Sequence, residues 1–151
     1  MDSAVASYTP WSLENPEPQN EVTIFNTPVM APFVKRKETS MANFDQCRYG
    51  CEATKPTRLL AFLLDVSAID EVRCNHPKQE WIDAKGKKYT ASHERVAGRK
   101  RKLEGGRTEH ASKALAHYPP ELCSTLANMA YKVKTTRAKQ LRRLERGTSV
   151  P

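Results

Sequence analysis

The order of apolar and polar residues predicts a few short strands followed by a long helix. The longest apolar run, residues 59–64, predicts a strand over 57–64 with both faces covered. A strand with one solvent-exposed face would instead alternate between apolar and polar residues. That strand starts after Pro56, since a proline cannot donate a hydrogen bond within a sheet. A second strand is predicted over 42–47, leading into a turn at residues 49–50.

The middle of the chain predicts smaller elements. Residues 80–83 and 88–90 flank a glycine-containing turn and predict a hairpin. Residues 65–71 are interpreted as a short helix. The basic, glycine-rich segment 94–107 is predicted to be a mobile loop, and residues 108–116 a second short helix.

The clearest helical pattern begins at Pro120, a residue that suits the first turn of a helix. Leu122, Leu126, Met129 and Val133 follow at spacings of four, three and four residues, which is the spacing of one apolar stripe. We expect this helix to pack on the core to about Val133. Beyond that point basic residues cover it, so it projects into solvent or folds fully only against a polyanion.

These elements predict a mixed α/β chain with one domain, as expected for 151 residues. We expect a disordered N-terminus over 1–10, a single domain over 11–133 and a basic helical tail over 134–151.

Positive charge is concentrated in the second part of the chain. The sequence has 25 basic and 17 acidic residues, a net charge of +8, and 21 of the basic residues follow residue 50. Clustered basic charge attracts polyanions, so nucleic acid is the expected partner. The alternatives are a solvated surface and, at residues 99–102, a nuclear-import signal. The candidate nucleic-acid-binding residues are Arg99, Lys100, Arg101, Lys102, Lys132, Lys134, Arg137, Lys139, Arg142, Arg143 and Arg146.

The apolar runs and the start of the chain predict a protein that neither spans a membrane nor is secreted. No run approaches the roughly 20 apolar residues that a membrane span needs. The first residues lack the basic start and apolar stretch of a signal peptide. The four cysteines are therefore expected to be reduced thiols in a nuclear or cytoplasmic protein.

Cysteine and histidine residues make zinc a further candidate, because tetrahedral zinc takes four such ligands. Cys47 and Cys51 are spaced C-x3-C, and Cys74 and His76 are spaced C-x-H, whereas the usual pairs of C-x2-C spacing are missing. We therefore assign no metal site, and core thiols with exposed histidines remain the alternative. The candidate ligands are Cys47, Cys51, Cys74, His76, His93 and His110.

A carboxylate, an amide and a proline follow one another at Glu14-Asn15-Pro16. This order predicts a rigid corner in which Glu14 is presented to the edge of a base, since a carboxylate accepts from an amino group. A plain turn is the alternative.

Several segments together carry a resemblance to a known family. They are residues 11–16, 44–50, 55–60, 74–76 and 118–123, with the sequences WSLENP, FDQCRYG, KPTRLL, CNH and YPPELC. The set resembles the C-terminal part of a methyltransferase-like domain from transposable-element polyproteins of algae and other protists. That domain is similar to the C5-cytosine DNA methyltransferases.

The resemblance implies roles for three residues. Glu14 and Asn15 match a Glu-Asn corner whose glutamate holds the target cytosine, with Pro16 in place of valine, and Arg58 is what remains of a Gln-x-Arg-x-Arg motif. The family's cofactor loop and catalytic Pro-Cys loop precede that corner, where this chain has only thirteen residues. We therefore assign no catalytic residue and no cofactor, and expect S-adenosylmethionine only if a further N-terminal segment completes the domain. This chain alone is expected not to transfer methyl groups.

The fold that the resemblance implies is a partial nucleotide-binding-type sheet with C-terminal helices. A truncated sheet would expose an edge and an apolar face, which a second copy or a partner chain is expected to cover. The expected function is that of a non-catalytic module of a mobile-element protein that contacts nucleic-acid phosphates. Two alternatives stay open, namely a partial methyltransferase completed by a partner segment and a small zinc-binding protein.

Overall fold

A computed structural model describes residues 9–18, 23–83, 85–95, 100–102, 104–110 and 116–147. Most of the segment expected to be disordered, residues 1–8, lies outside them. The described elements are β1 (Trp11–Pro16), α1 (Ala31–Val34), β2 (Thr39–Asp45), β3 (Pro56–Phe62), β4 (Gln79–Ile82), β5 (Lys88–Ala91), β6 (Lys100–Lys102), β7 (Thr108–His110) and α2 (Pro120–Gly147). Short 3-10 turns cover Ile24–Asn26, Gln46–Tyr49 and Ser67–Ile69.

The predicted mixed α/β class is confirmed, and its centre is a three-stranded sheet in the order β1-β3-β2. Both neighbours run antiparallel to β3, whereas nucleotide-binding folds have mainly parallel sheets. In this register Leu60 lies between Leu13 and Met41, while Leu59 lies between Glu14 and Ala42. Pro56 is the first residue of β3, a position that requires no hydrogen bond from its nitrogen.

One face of the sheet is covered by α2 and by the segment after β3. Leu59 on β3 and Phe44 on β2 are buried there. They form one apolar cluster with Val66, Ile69 and Leu122. The segment that follows β3 therefore folds back over this face before the chain continues to the hairpins.

The opposite face is covered by the chain between β1 and β2. Phe25, Met30 and Leu60 form a second buried cluster, and Phe33 of α1 packs against it. Trp11 stacks on Phe62, with ring centroids 5.8 Å apart. The apolar run of β3 is thus covered on both faces, and the expectation of an uncovered apolar face is wrong.

The long C-terminal helix has the predicted apolar stripe. Leu122 is buried, and Leu126, Met129 and Val133 pack against the same cluster. Residues 134 and 136–139 are exposed. The helix has 28 residues and is therefore about 42 Å long, and Val133 lies at its midpoint.

Two hairpins lie outside the central sheet. The β4–β5 hairpin was predicted, and its Trp81 lies opposite Tyr89. The mobile loop expected over 94–107 and the helix expected over 108–116 are wrong in part, because β6 and β7 pair as a second hairpin. Gly105 and Gly106, both with positive φ, form its turn. Residues 111–115 lie outside the described part of the chain, and the predicted helix over 65–71 is a 3-10 turn.

Replacing Leu122 tests whether α2 is anchored by its first turns. Leu122 is only 1% exposed and lies in the cluster with Phe44 and Leu59. Leu122→Ala keeps a good helix former but leaves a cavity, so the free energy of unfolding should fall by about 3 kcal/mol in urea denaturation. The matched control is Tyr131→Ala on the same helix, 69% exposed, which should change it by less than about 0.5 kcal/mol. Equal effects of the two substitutions would show that this packing is not formed.

Candidate functional site

Four of the six candidate metal ligands converge beside the sheet. Cys47 lies in the 3-10 turn that follows β2, and Cys74 and His76 lie in the extended segment before β4. His93 lies just past the end of β5, with Ser92 between them. One ligand atom from each residue can be chosen so that all four atoms lie within 4.8 Å of one another. Cys47 is buried, Cys74 and His93 are half-buried, and His76 is exposed.

Two distances define the geometry of this Cys/His cluster. Cys74 Sγ lies 3.5 Å from His76 Nδ1, and His93 Nε2 lies 3.2 Å from the same nitrogen. The two imidazole rings are nearly perpendicular, at 78°. The other nitrogen of His93, Nδ1, is 2.9 Å from the carbonyl oxygen of Glu52. Nδ1 therefore carries the proton in the neutral ring, which leaves the Nε2 lone pair facing the cluster.

Backbone contacts fix the positions of the two cysteines. The amide of Cys74 donates to Asp45 Oδ2 at 2.7 Å, and the amide of Asp45 donates to the carbonyl of Val72 at 3.0 Å. Gly50, at φ +92°, ends the turn that holds Cys47 and donates to the Cys47 carbonyl. Asp45 thus joins the Cys74 segment to the end of β2, and Gly50 closes the turn that holds Cys47.

A second set of contacts fixes the segment next to Cys74. Arg73 Nη2 donates to Glu17 Oε1 at 2.9 Å, and Arg73 Nε lies 3.1 Å from Glu71 Oε2. The hydrogen bond from Arg73 lowers the pKa of Glu17. This ion pair joins the end of β1 to the segment that carries Cys74 and His76.

Burial governs the chemistry of Cys47. The pKa of Cys47 is raised to about 12. The largest cause is the burial of its thiol, and the second is the neighbouring Cys74 side chain. An activated cysteine nucleophile has a lowered pKa, so Cys47 does not have this property.

The remaining two candidate ligands lie elsewhere. Cys51 is not among the four converging residues, and its amide donates to the carbonyl of Gln46. His110 lies in β7. The C-x3-C spacing was therefore a misleading signal, while His93 lies 46 residues from Cys47 and has no local pattern that marks it.

Glu14 does not form the predicted corner, because residues 11–16 are an edge strand. Glu14 Oε2 accepts a hydrogen bond from the Tyr118 hydroxyl at 2.9 Å. Its other oxygen lies 3.5 Å from Gln46 Nε2 and from Thr57 Oγ1, two fully buried side chains. Lys55 Nζ lies 5.3 Å from the centre of the Tyr118 ring. Glu14 thus joins the sheet to the residues just before α2.

Asn15 and Arg58 lie on the other face of the sheet from Glu14. Asn15 pairs with Arg58 and Glu14 with Leu59, and successive residues of a strand point to opposite faces. Arg58 Nε donates to Asn43 Oδ1 at 2.7 Å, and Asn15 Nδ2 donates to Thr23 Oγ1 at 3.2 Å. The three residues that the resemblance grouped around one base do not meet in one pocket.

The predicted nucleic-acid-binding residues are only partly within the described structure. Lys132, Lys134, Arg137 and Lys139 are exposed on α2, and Lys100 is exposed on β6. Arg99 and the side chains of five others lie outside the described part, namely Arg101, Lys102, Arg142, Arg143 and Arg146.

Comparisons of the chain with protein-family models, with curated proteins and with solved structures each found no match. Among the described residues, no helix combines the length and the apolar character needed to cross a membrane.

Removing the Tyr118 hydroxyl tests the contact with Glu14. Burial, and after it the hydrogen bond to Glu14, raise the pKa of Tyr118 to about 12, above its ordinary value of 10.0. The protonated Tyr118 hydroxyl therefore contributes fully to the free energy of unfolding below about pH 10. This contribution is lost as the pH rises through the pKa of Tyr118 in the folded protein. Tyr118→Phe should lower the free energy of unfolding by about 1 kcal/mol at neutral pH.

The difference between the native protein and Tyr118→Phe should shrink between about pH 10 and 12, measured by urea denaturation at each pH. Tyr131→Phe is the matched control, since Tyr131 is exposed. It should change the free energy of unfolding little at any pH in this range. A difference that stays constant across this range would contradict the assignment.

Proposed function

We propose that this protein binds nucleic acid through phosphate contacts along the second half of α2. The observation that carries the proposal is that α2 continues for fourteen residues beyond Val133, and that this continuation begins with the exposed basic residues Lys134, Arg137 and Lys139. This distal segment, residues 134–147, is about 21 Å long. It contains six basic residues and one acidic residue.

Exposed basic residues repeat along one side of the helix. Lys132 and Lys139 are seven residues apart, which places them two turns apart on the same face, and both are exposed. The sequence has further basic residues at positions 143 and 146, eleven and fourteen residues after Lys132. These are the spacings at which residues of an α-helix share a face.

The charge spacing favours a polyanionic partner over a surface that only faces water. Basic residues stand four apart at 139 and 143 and again at 142 and 146. Like charges at this spacing destabilise a helix by about 0.2 to 0.5 kcal/mol per pair. Nucleic-acid phosphates would neutralise the repulsion and release counterions.

The β6–β7 hairpin offers a second basic surface. Lys100 is exposed on β6, and positions 101 and 102 of the same strand are also basic. A strand and a helix that both carry basic residues favour contacts to the phosphate backbone. Aromatic residues do not alternate with these basic runs, so base stacking has little support.

The alternative of a partial methyltransferase has less support than nucleic-acid binding. It requires Glu14 and Arg58 to serve one base, and these residues lie on opposite faces of the sheet. Nucleic-acid binding without catalysis needs no such pocket, because it depends only on the exposed basic residues of α2.

Salt dependence tests the proposal directly. Affinity for a fluorescent mixed-sequence DNA duplex and for a single-stranded RNA of equal length should fall as salt rises, measured by fluorescence anisotropy. The double substitution Lys132→Gln with Lys139→Gln should weaken binding and reduce the slope of log affinity against log salt by about 1 to 2, since each lost phosphate contact removes about 0.9.

The matched control removes the same charge from a different surface. Lys35 and Lys37 are exposed beside α1, which packs on the face of the sheet opposite to α2. Lys35→Gln with Lys37→Gln should leave the affinity and the slope nearly unchanged. Affinity that is insensitive to salt, or an equal loss in both double variants, would refute binding along α2.

A further inference from the structure

We propose that Cys47, Cys74, His76 and His93 form a structural Zn²⁺ site that fastens the β4–β5 hairpin to the central sheet. This inference goes beyond nucleic-acid binding and does not depend on it. Its basis is the convergence of two thiols and two imidazoles from three separate segments of the chain.

Two of the ligand separations agree with a tetrahedral ion, and all four ligand atoms lie within 4.8 Å of one another. Zinc bonds of about 2.3 Å to sulfur and about 2.05 Å to nitrogen place a sulfur and a nitrogen ligand about 3.6 Å apart, and two nitrogen ligands about 3.3 Å apart. The observed separations are 3.5 Å for Cys74 Sγ and His76 Nδ1, and 3.2 Å for His76 Nδ1 and His93 Nε2. Both pairs therefore already have the separation of two ligands on one zinc ion.

Hydrogen bonding around the cluster also fits a metal site. His93 points Nε2 at the cluster and Nδ1 at the carbonyl of Glu52, 2.9 Å away. A ligating histidine usually donates its second N–H to a carbonyl or a carboxylate, which fixes the ring and its tautomer. Asp45 plays a related part, since it accepts the amide of Cys74 at 2.7 Å.

The set of donors selects the ion and its role. Two thiolates and two imidazoles in a tetrahedral arrangement are typical of zinc, whereas calcium and magnesium prefer oxygen. Two thiolates balance the charge of Zn²⁺, which permits the half-buried position of the cluster. Four protein ligands leave no open position for a substrate, so the site is structural and not catalytic.

The hairpin needs such a tether because it has no core of its own. None of the described residues from 77 to 95 is buried. A two-stranded hairpin in water is marginal without packing or a covalent or metal link. One residue separates His93 from the end of β5, and two residues separate His76 from the start of β4, so zinc would hold both ends of the hairpin against the Cys47 turn.

Metal titration of the purified full chain tests the site. The protein is unfolded with a chelator under reducing conditions, refolded without metal and titrated with Co²⁺ and then Zn²⁺. We expect one Co²⁺ per chain, with the intense visible bands of a tetrahedral ion and a thiolate-to-cobalt charge-transfer band. One equivalent of Zn²⁺ should abolish both.

Variants separate this site from other thiols and histidines. Cys74→Ser and His93→Gln should each weaken zinc binding at least a hundredfold, whereas the matched controls Cys51→Ser and His110→Gln should keep the stoichiometry and the spectrum. Circular dichroism establishes whether each variant is folded. If a ligand variant is unfolded, Cys51→Ser and His110→Gln still test whether the metal binds at this cluster. Absence of stoichiometric binding by the native chain, or loss of the spectrum in Cys51→Ser, would overturn the proposal.

Discussion

Strand β3 is apolar on both faces, and this one constraint organises the rest of the structure. A strand of this kind is stable only between two covering layers, since each exposed apolar side chain forfeits about 1.5 to 3 kcal/mol. The chain between β1 and β2 covers one face with Phe25, Met30 and Phe33. The segment after β3 and the first turns of α2 cover the other, chiefly through Ile69 and Leu122.

The same core positions the two features on which the proposed nucleic-acid surface and the proposed zinc site depend. The end of β2 leads into the turn of Cys47, and the segment that covers β3 continues to Cys74 and His76. The first half of α2 is fixed on the core by its apolar stripe, and the basic second half continues from it in the same helix. The proposed zinc site and the proposed nucleic-acid surface are thus separate extensions of one small core. An experiment that refutes one proposal therefore does not refute the other.

The sequence predicts the parts of this fold that depend on local patterns. The apolar run of β3, the stripe of α2 and the β4–β5 hairpin all have their periodicity or turn residues within a single segment, and the structure confirms them. The Glu14-Asn15-Pro16 segment misled because it resembles a turn locally. Pairing with β3 makes it a strand instead, and Pro16 is tolerated because β1 is an edge strand that ends there.

The metal cluster could not be assembled from spacing. Its four members come from three segments separated by β3 and by the β4–β5 hairpin, so only the tertiary fold brings His93 to Cys47. The β6–β7 hairpin was missed for a related reason, since its strands are short and basic and lack an alternating apolar pattern. Local sequence therefore identified the core elements, while the contacts between distant segments required the structure.

Native-state amide hydrogen exchange tests most directly whether β3 is the element on which the structure depends. Amides of residues 59–62, paired on both sides, should exchange only through global unfolding and be the slowest among the described residues. Amides of the β4–β5 hairpin should exchange through local opening with a smaller free energy. Exchange of the β3 amides as fast as those of the hairpin would contradict the account.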